Sequence, residues 1–493
     1  MKILKLIACA LLFVGTLADL SDATMGGTDP RAMGLAQSYT ALVRGPESVF
    51  WNPANLGLSG SRKFSWQVLS VGASLVTENN SFSVTTYNDY FTESNDSVSP
   101  RGTAYYINAE DKQDLLDDIP AEGMKMNVEL EPVLAAGLPI NGGIAFPLPG
   151  GLQSALALGL TVGLEGEMPK DMFELLLFGN QFAADRLAAG KEEGYDISEW
   201  NGSAWAITSL NWGIAKPWLP QGLKSYLSEM ALGGTLKFTG GLYGEILESG
   251  GEGMVTRIDG AVVDAYAITQ SAGDIDIDSD KVEFGGSGFG LDLGVAGVTK
   301  NGKTTFSIGL LNLLDSFSWS TKVRQDSIFA TATNLRVTRF IDPDQQDIEN
   351  VLDNEDVDGD GDIDFHKKIG EDNFSRSLPA VLRVGLAHEL MNRMTVVGNY
   401  DQAFSEGFGL STTPRLSAGV EYRLVNWFPM RFGLSAGGRW SSSSAIGFAL
   451  GPFTMSRLQF RLLDLALVTR GGFFPGIAKG TAVSVQFFRL DLI

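Results

Sequence analysis

One acidic run has the spacing of a cation site. Asp356, Asp358, Asp360, Asp362 and Asp364 alternate through Asp-Val-Asp-Gly-Asp-Gly-Asp-Ile-Asp, with Gly361 at the sixth place. Oxygen ligands at positions 1, 3, 5 and 9 around a glycine at 6 are the front of an EF-hand-type Ca2+ loop, in which Asp362 would offer its backbone carbonyl. The pattern departs at position 12, where a bidentate Glu is replaced by Lys367. Glu371 or Asp372 would have to complete the shell, and affinity would fall to the ~10⁻⁴–10⁻³ M of extracellular modules. The bland alternative is a solvated acidic loop. Residues 341–372 hold thirteen acidic residues against two lysines, about half of the whole chain's net charge of −21. Such a block needs cations or stays extended, and divalent ions could equally bridge it to lipopolysaccharide phosphates.

Catalytic chemistry has little to work with. The chain has two histidines, His366 in the acidic region and His388 near a predicted strand end, and neither has a partner motif. Gly433-Leu434-Ser435-Ala436-Gly437 matches Gly-x-Ser-x-Gly, but it falls inside a predicted strand rather than at a strand-to-helix elbow. These residues indicate no enzyme. The negative charge also argues against nucleic acid as a partner.

The remaining candidates are cations whose role depends on what positions them. Ala155–Leu164 reads ALALGLTVGL: Leu156, Leu158, Leu160, Val162 and Leu164 share one strand face, and Ala155, Ala157, Gly159, Thr161 and Gly163 the other. The same period of two recurs at Met230–Thr239, Thr305–Leu310, Leu382–Ala387, Leu416–Arg423, Phe432–Leu434, Leu458–Leu462 and Ala482–Phe487. A soluble sandwich would carry many charges on its second face. Here that face is mostly Gly, Ala and Ser, as in a crowded barrel lumen with the large apolar face toward lipid. Lys237, Arg383, Glu421, Arg423, Arg431 and Arg461 are then inward charges. Mutual pairing is one role for them. Receipt of a ligand carboxylate is another, with Arg383 and Arg423 the candidates.

The expected fold is all-β: a transmembrane antiparallel barrel of about 14 strands. With the last strand ending in the periplasm, short connections (451–456, 425–428, 391–393 and the Asn301-Gly302 turn) fall on the periplasmic side. The long ones (402–413, 319–378, 243–286 and 165–202) fall outside, as barrels of this kind arrange them. Asn108–Ile119 and Met168–Gly190 carry helical spacing within loops. They either cap the barrel mouth or, through Phe173, Leu175, Leu176, Leu177 and Phe178, line an external groove for a hydrophobic ligand.

The N-terminus has a secretory pattern. Lys2 and Lys5 precede the apolar Leu6–Val14, and Thr16-Leu17-Ala18 offers a cleavage site, so residues 1–18 read as a signal peptide. Cys9, the only cysteine, matches a lipoprotein box superficially, and the apolar run continues past it. Residues 19–60 follow as an irregular, small-residue-rich segment, and 61–493 as the barrel.

Within that segment Arg31-Ala32, Met33-Gly34-Leu35-Ala36, Tyr39-Thr40-Ala41, Phe50-Trp51 and Asn52-Pro53-Ala54 follow one another over 26 residues. This pattern resembles the N-terminal segment of the FadL-like outer-membrane barrels, a superfamily that includes PorV-type proteins. The departures are Ala36-Gln37-Ser38, Asn55 and Arg44-Gly45, where relatives often carry Gly-Gly-Ala, Gly and an acidic pair. The resemblance implies a hatch inside the lumen, with Asn52, Pro53 and Ala54 its residues, and an integral outer-membrane location of Gram-negative type. It implies passive uptake of hydrophobic small molecules of long-chain fatty acid type through hatch movement and a lateral wall opening. The alternative it leaves open is a PorV-type barrel that binds secretion-system proteins or acts as a scaffold.

Overall fold

Large apolar side chains at every second position leave each strand one face for lipid and one for the interior. The computed structural model describes residues 29–61, 64–91, 108–136, 138–178, 193–196, 199–257, 260–276, 281–335, 366–439 and 441–493. Residues 1–18, expected to be a signal peptide, and the five aspartates of the cation motif lie outside these residues.

The wall comprises β1 (Ser65–Asn79), β2 (Met124–Ala136), β3 (Gly142–Leu148), β4 (Leu152–Met168), β5 (Asn201–Pro217), β6 (Leu227–Arg257), β7 (Gly286–Thr299) and β8 (Thr304–Trp319). It continues through β9 (Val381–Met391), β10 (Met394–Ala403), β11 (Arg415–Val425), β12 (Phe428–Gly437), β13 (Ser442–Leu450), β14 (Leu463–Arg470) and β15 (Gly480–Leu492). β2 and β3 run in the same direction and share one place in the wall, so fifteen segments make fourteen staves. Neighbours are antiparallel throughout. The last strand pairs with the first from Trp66↔Leu492 to Glu78↔Gly480, which closes the barrel. Closure satisfies the backbone in a solvent that offers no hydrogen bonds.

The exposed side chains trace the lipid face: Leu156, Leu210, Trp212, Leu236, Phe238, Phe289, Leu314, Leu386, Leu416, Phe432, Ile446, Leu467 and Phe487. Their neighbours Ala155, Ala157, Ala231, Ala296, Ala387, Ala445, Ala466 and Ala482 are buried. A continuous apolar exterior around a closed sheet is a membrane belt. Among the described residues no helix is long and apolar enough to cross a membrane; the strands cross it.

Leu458–Arg461 continues the β14 stave in one register along β15 and pairs with Phe453–Met455 on its other side, as the alternation at Leu458–Leu462 indicates. Two details differ from the sequence reading. The region 243–286 is not a plain loop, because β6 runs on to Arg257 and pairs with Gly260–Asp276, which in turn pairs with Arg324–Leu335. Likewise Glu165–Met168 still belong to β4. These extensions rise beyond the lipid, where both faces meet water or loops, so they lack the apolar–small contrast that marks a wall strand.

Inside the wall, opposite charges are paired at depth. Lys237 Nζ lies 2.9 Å from Asp292, with both side chains nearly inaccessible, and donates to Asn312 Oδ1 at 2.7 Å. Lys237→Met should destabilise the barrel by about 3–5 kcal/mol because Asp292 is left buried and unpaired, whereas Lys237→Met with Asp292→Leu should cost much less. Urea unfolding in lipid vesicles measures both; equal losses would mean that the pair does not act as a unit.

Candidate functional site

The interior is filled from below by residues 29–61. Helix α1 (Pro30–Met33) starts at Asp29, whose side chain accepts from the Arg31 and Ala32 amides, and Pro30 at its first position needs no donor. After a series of turns, α2 (Ser48–Trp51) leads into Asn52, whose extended backbone (φ −159°, ψ 109°) is what a residue before proline must adopt. Ala32, Met33, Leu35, Thr40, Val43, Val49, Asn52, Ala54 and Asn55 have no accessible surface.

Asn52 is tied to the wall. Its Nδ2 donates to Ser307 Oγ (2.6 Å) and to the carbonyls of Ile308 (3.0 Å) and Val295 (3.1 Å), while Oδ1 accepts from the Ala54 amide (2.9 Å). The wall yields room through glycine. A Cβ on Gly294 would sit 1.8 Å from Asn52 Oδ1, and one on Gly233 2.5 Å from the Pro53–Ala54 peptide. Asn55 is also tied down, donating to Thr40 O (2.7 Å) and accepting from Ser307 Oγ (3.2 Å).

Charge anchors the segment at two further points. The Arg31 guanidinium grips Glu421 with both arms (2.7 and 2.9 Å), and Glu421 also accepts from Arg431 and Arg423. Arg431 continues to Asp464, and Glu47 pairs with Arg489. The inward charges expected from sequence therefore meet carboxylates, but the two ligand candidates are not brought together. Arg383 is 3% exposed and faces the interior above the segment. Arg423 has a 51% exposed side chain at the end of β11.

Above the segment lie two enclosed spaces that share Arg383. One, of about 80 Å3, is lined by Trp51, Arg383, Asp401, Arg415, Arg439 and Arg470. The other, of about 40 Å3, is lined by Phe50, Thr161, Trp205, Arg383, Phe408 and their neighbours. Arg383 stacks on Trp51 (4.5 Å to the ring centroid), its Nη1 reaches Phe50 O (3.4 Å), and its Nε is 3.7 Å from Asp401, beyond a hydrogen bond. Buried Nε thus has no partner among the described residues. Over the smaller space sits an aromatic cluster of Trp205, Tyr243, Phe317, Trp319, Phe374 and Phe408.

The wall is broken beside this space. β2 pairs with β4 only from Met124↔Met168 to Leu130↔Val162, and pairing resumes at Gly142↔Leu158 with β3. Between these points β2 continues along β1, then reverses through Leu138–Pro139. Residues 159–161 of β4 are left without a strand on that side. Asn141 (φ 55°) fills the gap with its carboxamide: Oδ1 accepts from the Leu160 amide (3.0 Å), and Nδ2 donates to the carbonyls of Leu160 (3.0 Å) and Pro132 (2.9 Å). One side chain stands in for a peptide unit where an unpaired one would face lipid. Thr161, the next residue, lines the cavity and donates to buried Glu131 (3.2 Å).

The external helices close on each other. α3 (Ala109–Asp117) is capped reciprocally by Asn108 and Asp111, and α4 (Lys170–Phe178) packs against it. Phe178 is buried beside Leu116 and Ile119, Phe173 is half-buried against the same cluster, and Leu176 points out at 71% exposure. Near the expected cation loop, Glu371 pairs with Lys368, whose ammonium holds that carboxyl below its usual range.

Asn141 and the aromatic cluster escaped the sequence reading. Pro132, Pro139 and Asn141-Gly142-Gly143 were the signal for a broken strand, but Asn141 acts through groups far along the chain. Aromatic residues at 205, 243, 317, 319, 374 and 408 share no spacing at all.

A closed antiparallel barrel with an apolar exterior that carries residues 29–61 in its lumen is a plugged transmembrane β-barrel. Residues 57–457 match the family described as a family of unknown function (DUF5723), and the chain belongs to that family. No curated protein matches it. Structural neighbours are FadL-type outer-membrane barrels. They include a Pseudomonas aeruginosa FadL homologue (12% identity, TM-score 0.46, covering 96% of this chain and 98% of that one). Others are the Ralstonia pickettii toluene transporter TbuX (11%, 0.43, 95% and 98%) and a deletion mutant of the monoaromatic hydrocarbon channel TodX (10%, 0.47, 94% and 98%).

Asn141→Leu orphans the amide and carbonyl of Leu160 and should cost about 1–3 kcal/mol for each group left unsatisfied. Unfolding in lipid vesicles gives the number, and an unchanged midpoint would show that the carboxamide does not carry these bonds.

Proposed function

We propose that this protein is a passive outer-membrane channel for hydrophobic small molecules of long-chain fatty acid type, with residues 29–61 acting as its hatch. The observation that carries the reading is the break between β2 and β4 at the level of the enclosed space. A molecule held above Trp51 has the hatch beneath it and, to one side, a wall secured by one carboxamide rather than a strand. The lining suits an amphipathic guest. Trp205, Ile207, Phe50, Leu378 and Phe408 offer apolar contact, while Arg383 offers a buried Nε that has no hydrogen-bond partner among the described residues. A carboxylate would supply the missing charge-assisted hydrogen bond.

Passage then follows from the parts. An apolar chain leaves water for the aromatic cluster, its head reaches Arg383, and hatch displacement opens the space toward Thr161. Parting of Asn141 from Leu160 lets the chain slip between β2 and β4 into the bilayer. No step consumes energy, because the apolar chain passes downhill from water into the aromatic cluster and from there into another apolar environment, the bilayer.

Proteoliposomes loaded with a fatty-acid-sensing fluorophore provide the test. Wild-type protein should admit oleate well above the rate of empty vesicles. Replacing Asn52, Pro53 and Ala54 together by glycine should change that rate by about tenfold or more, since three wall hydrogen bonds are lost, while heat-dependent gel mobility stays that of a folded barrel. Oleate influx equal to that of empty vesicles would sink the proposal.

A further inference from the structure

Phe408 sits in a conformation that a bulky side chain avoids. Its φ is 52°, and it is flanked by Gly407 (φ 121°) and Gly409 (φ 75°). A non-glycine residue in the left-handed region is strained, and such strain persists where the surroundings impose it. Here a tight turn imposes it: Gly407 and Leu410 exchange backbone hydrogen bonds (3.0 and 3.2 Å), which turns the tip of the 404–414 loop back into the lumen. The ring of Phe408 is consequently 6% exposed although it stands on an external loop.

That ring occupies a box. It lies edge-on to Trp205 (5.6 Å between centroids) and tilted against Tyr243 (5.4 Å), and Tyr243 in turn meets Trp319 (5.3 Å) and Phe374 (6.0 Å). These distances are those of favourable aromatic pairs. The box is contributed by β5, β6 and β8 of the wall and by the short strand Phe374–Ser375, whereas Phe408 comes from a short loop with a glycine on either side. Below it, the same cavity is lined by Arg383, whose buried Nε has no partner, and the indole Nε1 of Trp205 is likewise buried without an acceptor among the described residues. A rigid aromatic receptor, a guest ring on a hinged loop and two unsatisfied donors occur together in one place.

We propose that Phe408 is an internal stand-in for a ligand: its ring fills an aromatic subsite of the lumen and must leave before the ring of an apolar organic acid can bind there, with the acid's carboxylate on Arg383. This rests on the channel reading given above and adds to it a subsite for ring-bearing acids, which linear chains do not need to occupy. The loop has the means to swing out. Gly407 and Gly409 can take up backbone changes that other residues resist, and withdrawal of Phe408 relieves its own strained φ. Binding therefore competes with an intramolecular occupant, and the apparent affinity of the wild-type protein is lowered by the fraction of molecules in which the box is free.

The experiment is a titration of detergent-purified full-length protein with 2-naphthoate, with decanoate as the linear comparator. Phe408→Ala empties the box and should tighten 2-naphthoate binding by about tenfold, while decanoate affinity changes far less. Phe408→Trp keeps the box filled and should weaken 2-naphthoate relative to wild type. An unchanged or weaker 2-naphthoate affinity in Phe408→Ala, or decanoate tightening to the same extent, overturns the proposal. A second measurement needs no variant: saturating 2-naphthoate should speed hydrogen exchange of the amides at 404–411 in the wild-type protein, and unaltered exchange there overturns it as well. The two readings fail separately. Oleate influx with a null result here would leave the channel and remove the self-occupied subsite; tightened binding without influx would do the reverse.

Discussion

Everything in this molecule depends on satisfying backbone hydrogen bonds where there is no water to do it. Fourteen staves closed on themselves meet that demand around the circumference. The place where they do not is the break between β2 and β4, and there the chain supplies a carboxamide of matching donor and acceptor geometry. Asn141 is therefore an extension of the sheet by other means. A hydrogen bond from a side chain with its own rotamers is easier to part than a strand held on both sides by its neighbours. The same constraint that closes the barrel thus also explains why a side chain completes the sheet at this point.

The interior obeys a second constraint, volume. A barrel of this size would otherwise hold a wide channel, and residues 29–61 occupy it. Occupation at this density requires inward faces almost without side chains at the points of contact. Gly233 and Gly294 show this directly, since a single methyl group at either would collide with Pro53–Ala54 or Asn52. The seam is then finished with polar groups rather than grease. Asn52, Asn55, Ser307 and Ser417 bond across it, and Arg31 and Glu47 pair with Glu421 and Arg489 on the wall. Contacts of this kind hold one position firmly yet can be exchanged for water, which a fully apolar seam could not do.

Above the seam the lumen changes character. Charges there are paired with one another almost everywhere: Lys237 with Asp292, Arg431 with Asp464, Arg439 with Glu165. Arg383 stands apart, held by a ring face and a long contact to Asp401. Pairing of the rest keeps the interior closed at modest cost; the Arg383 guanidinium lies under an aromatic ceiling.

How much of this could be read from the sequence follows from how local each signal is. Alternation of large and small residues, as in Ala155–Leu164, gave the strands, their lipid-facing sides and the stave count, because a strand's two faces are written in adjacent positions. The inward placement of Lys237, Arg383, Glu421 and Arg431 came with the same parity. The Asn52-Pro53-Ala54 segment was legible because proline constrains the residue before it, whatever surrounds them. Only the tertiary structure decided which carboxylate each inward cation meets, that Asn141 bridges Pro132 and Leu160, and that Phe408 reaches Trp205 and Tyr243. Many of those relations join residues that are distant along the chain. They exist only once closure of the barrel fixes the register of every stave against the next.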